Sequence, residues 1–368
     1  MRTRAQAFLT ALLLAAGLLL PHPASAGLKR LIEMGWDEPD PAFMLKHVAE
    51  MEAMPFDGCV YHIGGLRPDG ELGNFGWACW GTRVFTEQEL AADLATMRSI
   101  SFRRFRSNFV RMNVTPANID WFDDHSAVFS NLTLGASFAK RAGSAGIMLD
   151  TEQYEGPLFD YTKQRDRGRR SYAEYAAQAR KRGSEAMRAI EKGYPGITLF
   201  LTLGVTHTVI QTIWEPIALD KGPYGLLAPF VDGMVLAASD SAKIVDGLEG
   251  NYPSRTPAQV ENYVGVYDTA VVAFVTDMSR FRRVTSRSWG FWLDYDWRTR
   301  GWNETDGSKN YQTPASLQKS IRRALELADD YVWIWVEKPH WWSDSGRPTK
   351  LPPGYVQALR NARKGLAP

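Results

Sequence analysis

Residues 145–154 read Ala-Gly-Ile-Met-Leu-Asp-Thr-Glu-Gln-Tyr, a short apolar run that ends abruptly in acids. A helical pattern follows over Ser171–Lys192, alanine-rich and charged along one face. Gly193-Tyr194-Pro195-Gly196 stops it. A second apolar run, Ile197–Leu203, comes directly after. Strand, helix, stop and strand is the unit of a parallel sheet, because parallel neighbours need a crossover and a helix is the usual one.

The same alternation runs outward in both directions. Toward the N-terminus, strands are expected at Lys29–Met34, Asp57–Ile63 and Phe109–Val114, with helices at Ala42–Met54, Glu87–Ile100 and Leu132–Ala142. Toward the C-terminus, strands are expected at Gly233–Ala238, Ser288–Leu293 and Tyr331–Val336. Helical pattern covers most of Pro257–Arg282, then Pro314–Ala328 and Gly354–Lys364. Eight strands alternating with helices predict an α/β protein, a single (β/α)8 TIM barrel. A doubly wound open sheet usually carries a glycine-rich first turn, and none is present. Gly64–Thr86 and Thr206–Tyr224, after strands 2 and 5, are long for barrel connections, and such loops build substrate sites.

The N-terminus has the three parts of a signal peptide: Arg2 and Arg4, the uncharged run Phe8–Leu20, and Ala24-Ser25-Ala26. Residues 1–26 are therefore expected to be a leader, with the catalytic barrel over 27–368 and a secreted or periplasmic product. Of 43 basic and 41 acidic residues the leader carries two arginines and no acid, so the remaining balance is 41 against 41. A neutral chain has no global field for nucleic acid or a membrane surface. The six histidines show no metal-ligand spacing, and the G-x-S-x-G, P-loop and H-E-x-x-H patterns are absent, so no metal or other cofactor is expected. Cys59 and Cys79 are competent to pair in an oxidising compartment, but Cys59 lies inside an apolar strand, which favours free thiols.

In a TIM barrel, function sits at the C-terminal ends of the strands. Side chains alternate along a strand, so Asp150, Glu152 and Tyr154 share a face that points into the barrel mouth. Two carboxyls so close resist ionising together, which makes one an acid. On the last strand Trp333, Trp335 and Glu337 share a face, and Glu337 offers the second carboxylate. Asp294 and Asp296 end the seventh strand beside Trp292, and Glu33 and Trp36 end the first. His62, Arg111, Asn113, Thr206, His207 and Asp240 mark other expected strand ends. Thirteen tryptophans include Trp341 and Trp342 just past the eighth strand, where they are expected to form a rim of sugar platforms.

Asp-x-Glu closing an apolar fourth strand resembles the family 18 chitinases and their relatives. Ala145 and Met148 stand where that family has two further acids. The resemblance implies that Glu152 is the general acid and that Asp150 orients the substrate. The expected function is hydrolysis of a glycosidic bond by a monomer whose partner is a carbohydrate. The alternatives are a carbohydrate-binding barrel without catalysis, and a lyase or esterase on the same fold.

Overall fold

A computed structural model describes residues 29–64, 73–214, 217–343 and 348–366. The leader reading falls outside them. Eight parallel strands close into a barrel in chain order, β1 to β8. They are β1 (Arg30–Gly35), β2 (Gly58–Tyr61), β3 (Phe109–Asn113), β4 (Gly146–Asp150), β5 (Thr198–Leu201), β6 (Lys243–Asp246), β7 (Thr285–Trp292) and β8 (Tyr331–Val336). The principal helices are α1 (Pro41–Ala53), α2 (Ala91–Ser99), α3 (Ser126–Arg141), α4 (Tyr172–Gly193), α5 (Val205–Trp214), α6 (Leu227–Ala237), α7 (Met278–Val284), α8 (Pro314–Leu327) and α9 (Tyr355–Arg363). Among the described residues no helix is long and apolar enough to cross a membrane.

Strand parity builds the core. Ile32, Met34, Val60, Phe109, Met148, Phe200, Val245, Tyr331 and Trp333 form one cluster that fills the barrel interior. The alternate residues pack outward against the helices in a second, larger cluster. Gly290 on β7 makes room for the Trp333 indole, since a Cβ there would lie 2.8 Å from the ring. Trp333 also donates Nε1–H to the Gly247 carbonyl at 2.8 Å, so the largest interior side chain is hydrogen-bonded. On α4, Ser171 and Glu174 form a capping box, and Gly196 at φ +74° turns the chain into β5.

The sixth strand is not where the apolar run suggested. Residues 233–237 end helix α6, and the strand is the four-residue segment Lys243–Asp246. Every residue from Leu227 to Val235 is buried, so α6 carries no polar face and lacks the 3.6-residue signature. Two glycines let it lie against α4. A Cβ on Gly183 would sit 1.9 Å from the Phe230 carbonyl oxygen, and one on Gly233 would sit 1.9 Å from that of Arg180. The connection after β5 begins with α5, and the one after β2 includes the single helical turn Phe75–Ala78. Cys59 and Cys79 are both buried and free.

Candidate active site

The end of β4 is the centre of the site. Asp150 is 1% exposed and held on both oxygens. Its Oδ2 accepts from Asn113 Nδ2 at 2.9 Å and from the Tyr154 hydroxyl at 3.1 Å. Its Oδ1 accepts from the Thr202 hydroxyl at 3.0 Å and from the Glu152 backbone N–H at 3.1 Å. Arg111 adds an ion pair at 3.6 Å. Asn113 and Arg111 face the interior because they keep the parity of Phe109 on β3.

Glu152 meets a partner that the sequence reading missed. Its carboxyl is in hydrogen-bond contact with that of Glu249, which follows β6. A hydrogen bond between two carboxyls requires a proton on one of them. Burial first, and then the Asp150 charge, push Glu152 up from 4.5 to about 7, while bonds to Glu249 and Tyr154 pull the other way. Burial and the charges of Glu152 and Asp150 push Glu249 well above the ordinary carboxylate range. Tyr252 bonds to Glu249 and is itself driven up by burial and by that carboxylate. The Tyr252 ring lies 5.9 Å from Trp292 and 5.7 Å from Trp333, so a tryptophan wall backs the acid pair. Glu249 escaped notice because the sixth strand was placed ten residues too early. The signal was there, as Ile244-Val-Asp-Gly-Leu-Glu249 repeats the apolar-run-then-acid pattern of β4.

Glu337 lies inside the mouth on β8 but binds elsewhere. Its carboxylate accepts from Trp297 Nε1 at 2.6 Å and from Trp335 Nε1 at 3.3 Å, and pairs with Arg298 at 2.7 Å. Asp294 is a loop anchor, accepting from the backbone N–H groups of Glu337 and Lys338 and from Trp292 Nε1. Burial raises it from 3.8 to about 6 despite those bonds. Asp296 stands at positive φ and pairs with Arg300 at the rim. Trp36 is 52% exposed, edge-on to Trp297. His62 approaches Glu38 at 3.6 Å, and Glu38 binds Arg111 at 2.8 Å. His207, on α5, is packed edge-on against Tyr224, and burial lowers it to about 4. Thr206 caps α5 through Asp246, bonding it from both its N–H and its hydroxyl.

Four expected site residues are elsewhere. Asp240 belongs to the loop before β6, at the opposite end of the barrel, and pairs with Arg280 and Arg283. It moved with the misplaced strand. Glu33 lies between Ile32 and Met34, so parity turns it away from the mouth and into the helix layer. There it sits in register with Cys59 and shares a proton with Asp37. Trp341 and Trp342 are 1% and 2% exposed and form no rim. Trp341 packs edge-on against Phe56 at 5.0 Å, and its N–H bonds the Asp37 carboxyl at 2.8 Å. Trp342 packs near Phe105 and donates Nε1–H to the Asp37 carbonyl at 3.0 Å. Asp37 anchors this turn twice, through the Trp341 backbone N–H and the Trp342 indole N–H, while the Trp341 ring is held by packing alone.

No family model and no curated protein matches the chain. Some solved structures are distantly similar to it, all with TM-scores below 0.5. A GH5_18 protein from Streptomyces cattleya, solved with GlcNAc, is 12% identical, covers 94% of this chain and 82% of its own, and has a TM-score of 0.48. Endonuclease IV from Thermus thermophilus is 12% identical over 91% and 97%, with a TM-score of 0.39. A sugar phosphate isomerase/epimerase from Parabacteroides distasonis is 10% identical over 95% and 100%, with a TM-score of 0.39.

Proposed function

We propose that this protein is a glycoside hydrolase in which Glu152 and Glu249 are the reacting pair. The observation that carries this reading is the contact between their two carboxyls at the barrel mouth, one at each of two strand ends. A pair that shares one proton holds an acid and a carboxylate at once. The bond between them lowers Glu152, at about 7, and raises Glu249, so Glu249 holds the proton and Glu152 is the first to become a carboxylate. Carboxyls in contact leave no space for a water between them. That fits the close spacing of retaining enzymes, about 5–5.5 Å, better than the roughly 6.5–9.5 Å of inverting ones. Glu249, the more strongly raised of the two, then protonates the leaving oxygen, Glu152 attacks the anomeric carbon as the carboxylate, and Glu249, now ionised, activates the water that releases the product. Asp150, tied to Asn113, Thr202, Tyr154 and Arg111, holds a charge that raises both acids. If residues 1–26 act as a leader, the substrate is met outside the cytoplasm.

The test is a panel of polysaccharides and aryl glycosides with wild-type protein and the variants Glu152→Gln and Glu249→Gln. Each variant is expected to lose about 10²–10⁴-fold or more in turnover with the fold intact. The first product should keep the substrate's anomeric configuration. Wild-type turnover in either variant removes that residue from the mechanism. Binding without cleavage across the panel favours a binding barrel, and unsaturated products identify a lyase.

A further inference from the structure

Beside the acid pair, the ends of β1, β2 and β3 enclose a pocket of about 260 Å³. Trp36 and Trp77 stand among its walls, and Glu38, Arg111, Asn113 and His62 supply its polar lining. We infer that this pocket is a subsite for a single uncharged sugar ring, adjoining the bond that is cut. The inference rests on the hydrolase reading of Glu152 and Glu249 and adds to it the substrate class.

Three observations carry it. The first is size and shape. Drug-sized ligands occupy pockets of roughly 300–1,000 Å³, so this one holds about one ring. Trp36 is edge-on to Trp297 with the Arg298 guanidinium 5.6 Å from its ring, yet it is 52% exposed, so much of an indole at the pocket wall stays open to an apolar C–H surface. Trp77 is held in place from three sides. Asn74 accepts its N–H at 3.0 Å, Glu155 accepts its Nε1–H at 2.6 Å, and the Arg111 guanidinium lies 5.3 Å from its ring. The second is charge. Arg111 is matched by two carboxylates, Glu38 at 2.8 Å and Asp150 at 3.6 Å. An incoming anion meets a guanidinium already neutralised and backed by negative charge. An incoming cation finds one carboxylate among the lining residues, Glu38, and it is already paired with Arg111 at 2.8 Å. Hydroxyl groups face neither penalty. The third is continuity. Arg111 and Asn113 line the pocket and also bind Asp150, so a ring seated there lies next to Glu152.

The experiment titrates the Glu152→Gln protein with cello-, xylo-, manno- and chito-oligosaccharides, with oligogalacturonides as the anionic arm and chitosan oligomers as the cationic one. Binding is read by calorimetry and by indole NMR shifts. A neutral oligosaccharide is expected to bind tightest, and Trp36→Ala, a change at an exposed position, is expected to weaken it roughly tenfold. Trp77→Phe should weaken it less, since a smaller ring remains. Tightest binding in a charged arm, no binding in any arm, or an unchanged Kd in both tryptophan variants would overturn the proposal. Failures are separable. Binding that depends on Trp36 without any cleavage by wild type sinks the hydrolase and leaves the subsite. Cleavage whose KM ignores both tryptophans sinks the subsite and leaves the hydrolase.

Discussion

Replacing Asp150 by Asn tests the electrostatics of the site most directly. The Asp150 charge is the second-largest cause, after burial, that lifts Glu152 from 4.5 to about 7, a rise of about 2.5. Removing it leaves burial in place, so Glu152 should fall from about 7 toward the ordinary carboxylate range. The sign follows from the role. An attacking carboxylate must be ionised, so activity is lost as pH falls through its pKa. With a lower pKa, the acid limb of kcat/KM moves down from its wild-type position near pH 7. The amide is tolerated sterically. Its oxygen still accepts from Asn113 and Tyr154, and its NH₂ turns to the Thr202 hydroxyl, which accepts from the Thr151 N–H and keeps a second lone pair. The bond from the Glu152 N–H and the ion pair with Arg111 are lost. The assay is kcat/KM against pH on the best panel substrate, with thermal melting as the fold control. A folded variant whose acid limb stays at the wild-type position would refute the coupling of Asp150 to Glu152.

Three further outcomes are expected. Glu33 and Asp37 both sit above their solution values when folded, mainly through burial, so the folded state holds protons that the unfolded chain has released. Stability is therefore greatest at low pH and falls as pH rises, for Asp37 between 3.8 and about 6. Glu33→Gln removes one acid and offers an N–H to the Asp37 carboxyl. The melting temperature at pH 8 should rise by a few degrees and its pH dependence should flatten, whereas a lower melting temperature would show that Glu33 serves some other purpose. Trp341→Ala should cost about 3–5 kcal/mol by denaturant titration with KM unchanged; weakened binding with little loss of stability would restore Trp341 to the site. Asp240→Ala should alter stability by no more than about 0.5 kcal/mol and leave kcat/KM as it is, and lost activity would contradict its place at the far end of the barrel.

What the chain by itself determined is the alternation. Most strands are short apolar runs with acids or aromatics at their ends, and helices such as α4 and α8 have an amphipathic period. These are local properties, so the barrel class, β8 from Tyr331 to Val336, and the shared face of Asp150, Glu152 and Tyr154 were all legible. Tertiary structure decided the rest. Helix α6 is buried on every side, which erases the period that would mark it, and the four-residue β6 beside it is too short to compete. Glu249 was lost with that strand. The segment Trp341–Trp342 is tied to Asp37, some three hundred residues earlier, through the Trp341 backbone N–H and the Trp342 indole, and no local pattern encodes an acceptor that distant. Glu33 shows the same limit from the other direction. Its identity suggests chemistry, but the parity of Ile32 and Met34 in the closed barrel turns it from the mouth. Which acid meets Glu152 is a question of proximity across the barrel, and only closure of the sheet answers it.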